Sequence, residues 1–193
     1  MPSPMILNYF GLPGRAEATR VALAYAGKVF EDHRMDHAEY GACKWVGKGL
    51  PVLEMDGADY TQSTALLRYA GKLGGLYPED PLAALKVDEI VVIGEDIMGK
   101  IFSCMGAKDD TVAKGVLAGK VKTLLDVLTK KIAASPSKFC VGDSLTIADL
   151  QVHAVIANVE ADFVKGIPPT LIADTAAPLL VVKNAVLEDP KVR

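Results

Sequence analysis

The sequence has few cysteines, few aromatic residues and no long apolar run. Cys43, Cys104 and Cys140 are too few for a disulfide scaffold and form no C-x-x-C pair. That pattern favours a reducing, intracellular setting. No stretch approaches the ~18 apolar residues that a membrane span needs. Met1–Met5 holds two prolines and no basic residue, so no signal peptide is expected there. Charge of one sign is lacking too. The 21 basic and 24 acidic side chains leave a net charge of −3, and residues 1–78 balance at 8 and 8. No global basic field exists to hold nucleic acid or an anionic membrane. His33, His37 and His153 make no HxxxH or HExxH arrangement, so no metal site is expected. The turn Gly11-Leu12-Pro13-Gly14 is neither a dinucleotide fingerprint nor a phosphate loop, and no motif supports a nucleophilic triad.

What is present is a chain of 193 residues, half of them hydrophobic, which is enough to offset ordering entropy with a buried core. Met5–Phe10 reads as a buried strand, broken by Gly11, Pro13 and Gly14. Arg15–Ala26 reads as a helix stopped by Gly27, and Val29–Met35 as a second strand. His37–Lys48 reads as a short irregular helix. Pro51–Met55 and Ala58–Thr61 flank Asp56-Gly57, a hairpin signal. Ser63 is expected to cap a helix that Gly74-Gly75 ends. The order β-α-β-α-β-β-α implies a small α/β domain. After it, helical periodicity runs through residues 90–105, 116–128, 146–159 and 177–187. The proline-stiffened stretch Leu76–Pro81 is the natural linker. The expected fold class is therefore α/β plus all-α, with a first domain over 1–78 and an all-helical domain over 82–193.

Three features carry candidate chemistry. Tyr9 ends the first strand just before a glycine-rich turn, where open α/β sheets place ligands. Its hydroxyl is either a ligand donor or the wet end of a half-buried strand tyrosine. Leu50-Pro51 stands at a strand start, and a cis bond there would turn the Leu50 N–H and C=O outward to an extended peptide. Gln62-Ser63 opens a helix, whose free N–H groups suit a carboxylate, although a serine there is more often a cap alone.

In order, these features read NYFGLPGRAE, GLPVLEMDG and YTQSTALLRYAG, and VGDSLTIADL follows in the helical part. Together they resemble the cytosolic glutathione S-transferases, most closely the sigma-like, tyrosine-type class. The resemblance implies a thioredoxin-like first domain, glutathione as co-substrate with no metal, and transfer of its thiol to a hydrophobic electrophile. Tyr9 and Arg15 would favour the thiolate. A free thiol with pKa near 8.5 is only a few per cent ionised at neutral pH, so a donor that stabilises the anion raises the concentration of nucleophile. Leu50, across a cis Pro51, would pair with the cysteinyl backbone. Gln62 and Ser63 would hold the γ-glutamyl carboxylate. Lys44 or Lys48, beside Gly49, would meet the glycyl carboxylate. The family's tryptophan position is Tyr40 here, and Trp45 follows Lys44, so either ring would line the site.

Glu95-Asp96 sits between Gly94 and Gly99, which cost a helix roughly 1 kcal/mol each and let another group approach closely. The resemblance has Asp96 reach the glutathione of a partner subunit in a homodimer, with Arg68 a second interface residue. It assigns the electrophile pocket to Phe10, Leu12, Pro13, Met98, Phe102 and Gln151. Residues 102–105 read Phe-Ser-Cys-Met, which does not support the prostaglandin-isomerase wall of some sigma-like enzymes. The stop at Arg193 implies a short or missing cover over the electrophile. Thr146-Ile147-Ala148-Asp149 fits a capping box with no catalytic part. Partners would be glutathione and the electrophile, without nucleic acid or membrane, in the cytoplasm. The rival readings are a non-catalytic ligand-binding or structural protein on the same scaffold, and a thiol-disulfide oxidoreductase. The last needs a cysteine where Tyr9 and Phe10 stand.

Overall fold

Five of the six residues of β1 (Met5–Phe10) are apolar or aromatic, and the strand is paired on both sides, where such a run belongs. It runs parallel to β2 (Phe30–Met35) and antiparallel to β3 (Val52–Met55), and β3 pairs with β4 (Ala58–Thr61) to give the sheet order β2-β1-β3-β4. Asp56 and Gly57 both take positive φ, 52° and 77°, as a two-residue hairpin turn requires. Helix α1 (Glu17–Tyr25) makes the crossover from β1 to β2, entered through a 3₁₀ turn at Gly14–Ala16. Helix α2 (His37–Ala42) is capped by the Asp36 carboxylate, which accepts from the Glu39 N–H at 2.8 Å. The computed structural model describes residues 5–105 and 111–192; the expectations attached to the start of the chain and to Arg193 lie outside that range.

Helix α3 (Ser63–Gly74) corrects one expectation. Its N-cap position belongs to Gln62, whose carbonyl accepts from Ala65 and Leu66, and Ser63 is the first helical residue. The terminal stop is as expected, with Gly75 left-handed at φ 71°. Helix α4 (Pro81–Phe102) then starts inside the expected linker. Asp80 accepts from the Ala83 N–H at 2.8 Å, and Pro81 fills the first helical position, where its missing N–H costs nothing.

The remainder is helical: α5 (Thr111–Val116), a π-helical turn over Leu117–Val121, α6 (Lys122–Ala133), α7 (Ile147–Glu160), α8 (Leu171–Thr175) and α9 (Pro178–Glu188). Helix α8 carries no signal in the sequence, because five residues are too few to show a period. The capping box forms at the start of α7. The Asp149 carboxylate, fully buried, accepts from the N–H groups of Thr146 at 2.7 Å and Cys140 at 2.6 Å and from the Thr146 hydroxyl. Helix α7 is buried along nearly its whole length and packs on α1, α4 and α9. It is therefore the element that joins the sheet's helices to the helical half. The fold is a thioredoxin-like α/β unit followed by helices.

Candidate active site

The chain leaves β1 at Tyr9-Phe10 and turns sharply through Gly11–Gly14. The buried Arg20 of α1 fixes this turn from one side. Its Nη1 donates to the carbonyls of Leu12 and Pro13 at 3.0 and 2.9 Å, its Nη2 reaches the Phe10 carbonyl at 3.3 Å, and Asp32 on β2 takes its Nε at 2.8 Å. Gly14 sits at φ +55°, and a Cβ there would run into the Tyr9 ring. The next N–H, that of Arg15, donates to the Tyr9 hydroxyl at 3.0 Å. Tyr9 is only 6% exposed. Burial pushes its phenol above the ordinary value of 10, against the pull of the Arg15 N–H. The hydroxyl therefore keeps its proton at neutral pH, and with an acceptor position already occupied it has that proton to donate.

The Arg15 side chain leaves the turn and pairs with Glu95 on α4 at 2.5 Å, with its guanidinium 5.7 Å from the centre of the Phe102 ring. The first glycine inside α4 is explained here. A Cβ on Gly94 would stand 2.7 Å from Gln151 Cγ, whereas one on Gly99 would make an ordinary contact with the Arg15 guanidinium at 3.4 Å. Gln151 Nε2 in turn reaches Glu95 Oε1 at 3.5 Å. Burial raises the Glu95 carboxyl above its usual 4.5, while Arg15, the Ser63 hydroxyl and Gln151 pull it back down. One carboxylate thus gathers residues from the Tyr9 turn, from α3 and from α7. Asp96, its neighbour, is exposed, and its charge adds to the upward push on Glu95.

On the other side of the sheet's end, the Leu50–Pro51 peptide is cis and Gln62 holds φ 75°. Lys44 is engaged by Glu54 at 2.7 Å and Asp59 at 3.2 Å, both on the β3–β4 hairpin, and lies 4.9 Å from the Trp45 ring centre. Trp45 is buried with Met35 and Val52 and donates to Asp59 at 2.9 Å. Tyr40 is half-buried, edge-on to Phe10, and its hydroxyl accepts from the Gly47 N–H at 3.3 Å. Lys48 and Gly49 are exposed, the glycine at φ 84°.

Family models bear on this arrangement. Residues 5–72 match the glutathione S-transferase N-terminal domain, and residues 95–193 match the C-terminal domain. Glutathione S-transferase 1 of Ascaris suum is 33% identical over 174 residues, covering 83% of this chain and 84% of the relative. Hematopoietic prostaglandin D synthase of Gallus gallus is 36% identical over 149 residues, 74% of this chain and 73% of the relative. The crystal structure of the Ascaris lumbricoides glutathione S-transferase superposes with a TM-score of 0.81 at 30% identity, covering 98% of this chain and 94% of that one.

The chain belongs to the glutathione S-transferase family. It is a glutathione transferase with glutathione as co-substrate. Among the described residues no group of three or more metal-ligating side chains assembles, and no helix is long and apolar enough to cross a membrane.

The six electrophile candidates of this transferase divide in two. Phe10, Leu12, Pro13 and Phe102 are partly accessible, and Phe102 packs against Phe163 with ring centres 5.9 Å apart. Met98 and Gln151 are 1% and 2% exposed, so in this structure they back the site instead of opening onto it. A cavity of about 630 Å³ lies elsewhere, lined by Leu117, Leu125, Ile167 and Leu171 and by none of the six. Sequence reasoning missed Arg20, Glu95's inward role and Asn158. Arg20 had a faint signal, a charge inside an Ala/Leu-rich helix; Asn158 had none, because its partner lies 144 residues away.

Proposed function

We propose that this transferase ionises the glutathione thiol beneath Tyr9 and adds the sulfur to a hydrophobic electrophile. One observation carries the reading: a buried phenol at the strand end whose oxygen already accepts from Arg15 N–H. Such a phenol stabilises a thiolate by donation, and the rate then follows from thiolate formation and proximity. Arg15 adds positive charge, and its pairing with Glu95 keeps it beside the turn. Leu50 across Pro51, Gln62 and Ser63 bind the peptide and γ-glutamyl parts, Tyr40 flanks it, and Lys44 or Lys48 with Gly49 meets the glycyl carboxylate. Phe10, Leu12, Pro13 and Phe102 receive the electrophile, with Met98 and Gln151 behind them.

Residues 1–78 then act as the glutathione-binding domain and 82–193 as the helical domain. The working unit is a homodimer in the cytoplasm, of the sigma-like class. Exposed Tyr60 on β4 and Leu82, Leu85 and Val92 on α4 support a partner surface. Exposed Asp96, one helical turn beyond Val92, is the residue that would cross to the partner's glutathione. Replacing Tyr9 by Phe should slow conjugation about 100-fold, the scale of losing one donor to a reacting anion. Binding to a glutathione matrix should survive. Unchanged turnover would reject Tyr9 as the activating group.

A further inference from the structure

Asn158, on α7, is 2% exposed and makes an unusual set of bonds to one distant residue. Its Oδ1 accepts from the Gly14 N–H at 2.9 Å and its Nδ2 donates to the Gly14 carbonyl at 3.1 Å. The second Nδ2 proton goes to the Ala154 carbonyl at 2.7 Å, with the Met98 sulfur 3.5 Å away. A primary amide carries one acceptor oxygen and two donor hydrogens, and here all of them are placed. Both main-chain polar groups of Gly14 are thereby held by a single side chain from the helical half of the molecule. The Ala154 bond anchors that amide to the backbone one turn earlier on its own helix.

Gly14 is the residue whose left-handed φ and missing Cβ let the chain pass over the Tyr9 ring. The peptide that follows it carries the N–H bonded to the Tyr9 hydroxyl. We infer that Asn158 is a positioning residue for that hydroxyl, holding the Gly14–Arg15 peptide so that Arg15 N–H fills the acceptor side of the phenol and the phenolic proton is left for the glutathione sulfur. The inference rests on the proposed function and extends it. The physical reason is directional. A hydroxyl has one proton and rotates freely unless something fixes its acceptor side. A donor held there also polarises the O–H toward its next partner. A tie that only joined the two halves of the molecule would lower stability, but its effect would not depend on the Tyr9 oxygen.

The test compares Asn158→Ala and Asn158→Asp in the wild-type and Tyr9→Phe backgrounds. Asn158→Asp keeps the shape and an acceptor for Gly14 N–H while losing the amide donors, and it serves if the alanine variant does not fold. Melting temperature, kcat, KM for glutathione and the thiolate absorbance of bound glutathione against pH are measured for each. With Tyr9 present, kcat should fall about tenfold or more, the scale of a small misplacement of a reacting group, while KM moves little. Ionisation of the bound thiol should shift to higher pH. In the Tyr9→Phe background, the same substitutions should change turnover less than about twofold, since coupled residues are not additive. Equal losses in both backgrounds, or an unmoved thiol titration, overturn the inference. If Tyr9→Phe keeps full turnover, the proposed function falls and the inference with it; if Tyr9→Phe is slow while the Asn158 variants are not, only the inference falls.

Discussion

The two ends of the proposed glutathione groove are built on opposite plans. At the Tyr9 end, Arg20, Asn158 and the Arg15 N–H hold the turn through buried and part-buried hydrogen bonds. At the Lys44 end, the ion pairs lie at the surface and the polar groups satisfy one another across a hairpin: Lys44 with Glu54 and Asp59, and the part-buried Trp45 N–H with Asp59. Position matters steeply for a group that must meet a reacting atom, and much less for one that attracts a carboxylate through water. The chemical end is therefore locked by the fold, and the recognition end is left to side chains. Substitutions at the two ends should differ accordingly.

The largest effect is expected at Gly14. Alanine there meets a left-handed φ and the Tyr9 ring at once. The conformational cost is about 1–2 kcal/mol and the overpacking adds roughly 1–3 kcal/mol. Because the displaced groups are the Tyr9 ring and the Arg15 N–H, turnover should fall about 100-fold alongside the drop in melting temperature. A Gly14→Ala protein that was destabilised but catalytically intact would mean the turn is a structural lock and nothing more.

A middle effect belongs to Glu95→Gln. The amide keeps the shape but loses the charge that holds Arg15, so kcat/KM for glutathione should drop about tenfold. The substitution also has a pH signature. Burial raises the Glu95 carboxyl, with Arg15, Ser63 and Gln151 opposing. A raised acid binds its proton more tightly folded than unfolded, so its contribution makes stability fall as pH rises from about 4.5 through the raised value. Denaturant midpoints measured across that window should decline less in Glu95→Gln than in the wild type. An identical slope in the two proteins would remove Glu95 as a buried titrating group.

The same contrast explains what could be read in advance. The β-α-β-α-β-β-α order was legible because apolar runs, the Asp-Gly turn and glycine stops are local signals, and local signals agree with the final fold here. Tyr9, Leu50-Pro51 and Gln62-Ser63 stood out as separate local features, and it was the resemblance to the glutathione S-transferases that joined them, with Arg15, into one proposed site. The Glu95–Asp96 pair was not resolved. Adjacent helical residues point about 100° apart, and only packing decides that Glu95 turns inward to Arg15 while Asp96 stays exposed. Asn158 was invisible because a side chain that serves a loop 144 residues away leaves no local pattern. Ser63 was misread as a cap since the rule rests on residue type, and Gln62 holds the cap position by backbone conformation instead.

The smallest effect is expected at Lys44. Its side chain is 56% exposed, its ammonium is shared between Glu54 and Asp59, and its net attraction for a glycyl carboxylate is what those two charges leave over. Exposed pairs in water contribute little, and salt screens them further. Lys44→Ala should therefore change KM for glutathione by no more than about twofold at physiological ionic strength. Asp59→Asn sharpens the point, because it frees part of the Lys44 charge while leaving an acceptor for the Trp45 N–H. That variant should lower KM at low salt and lose the gain as salt is added. A Lys44→Ala loss above about tenfold, insensitive to salt, would mean that the lysine is held for recognition as firmly as Tyr9 is for chemistry, and that the two ends are not built differently after all.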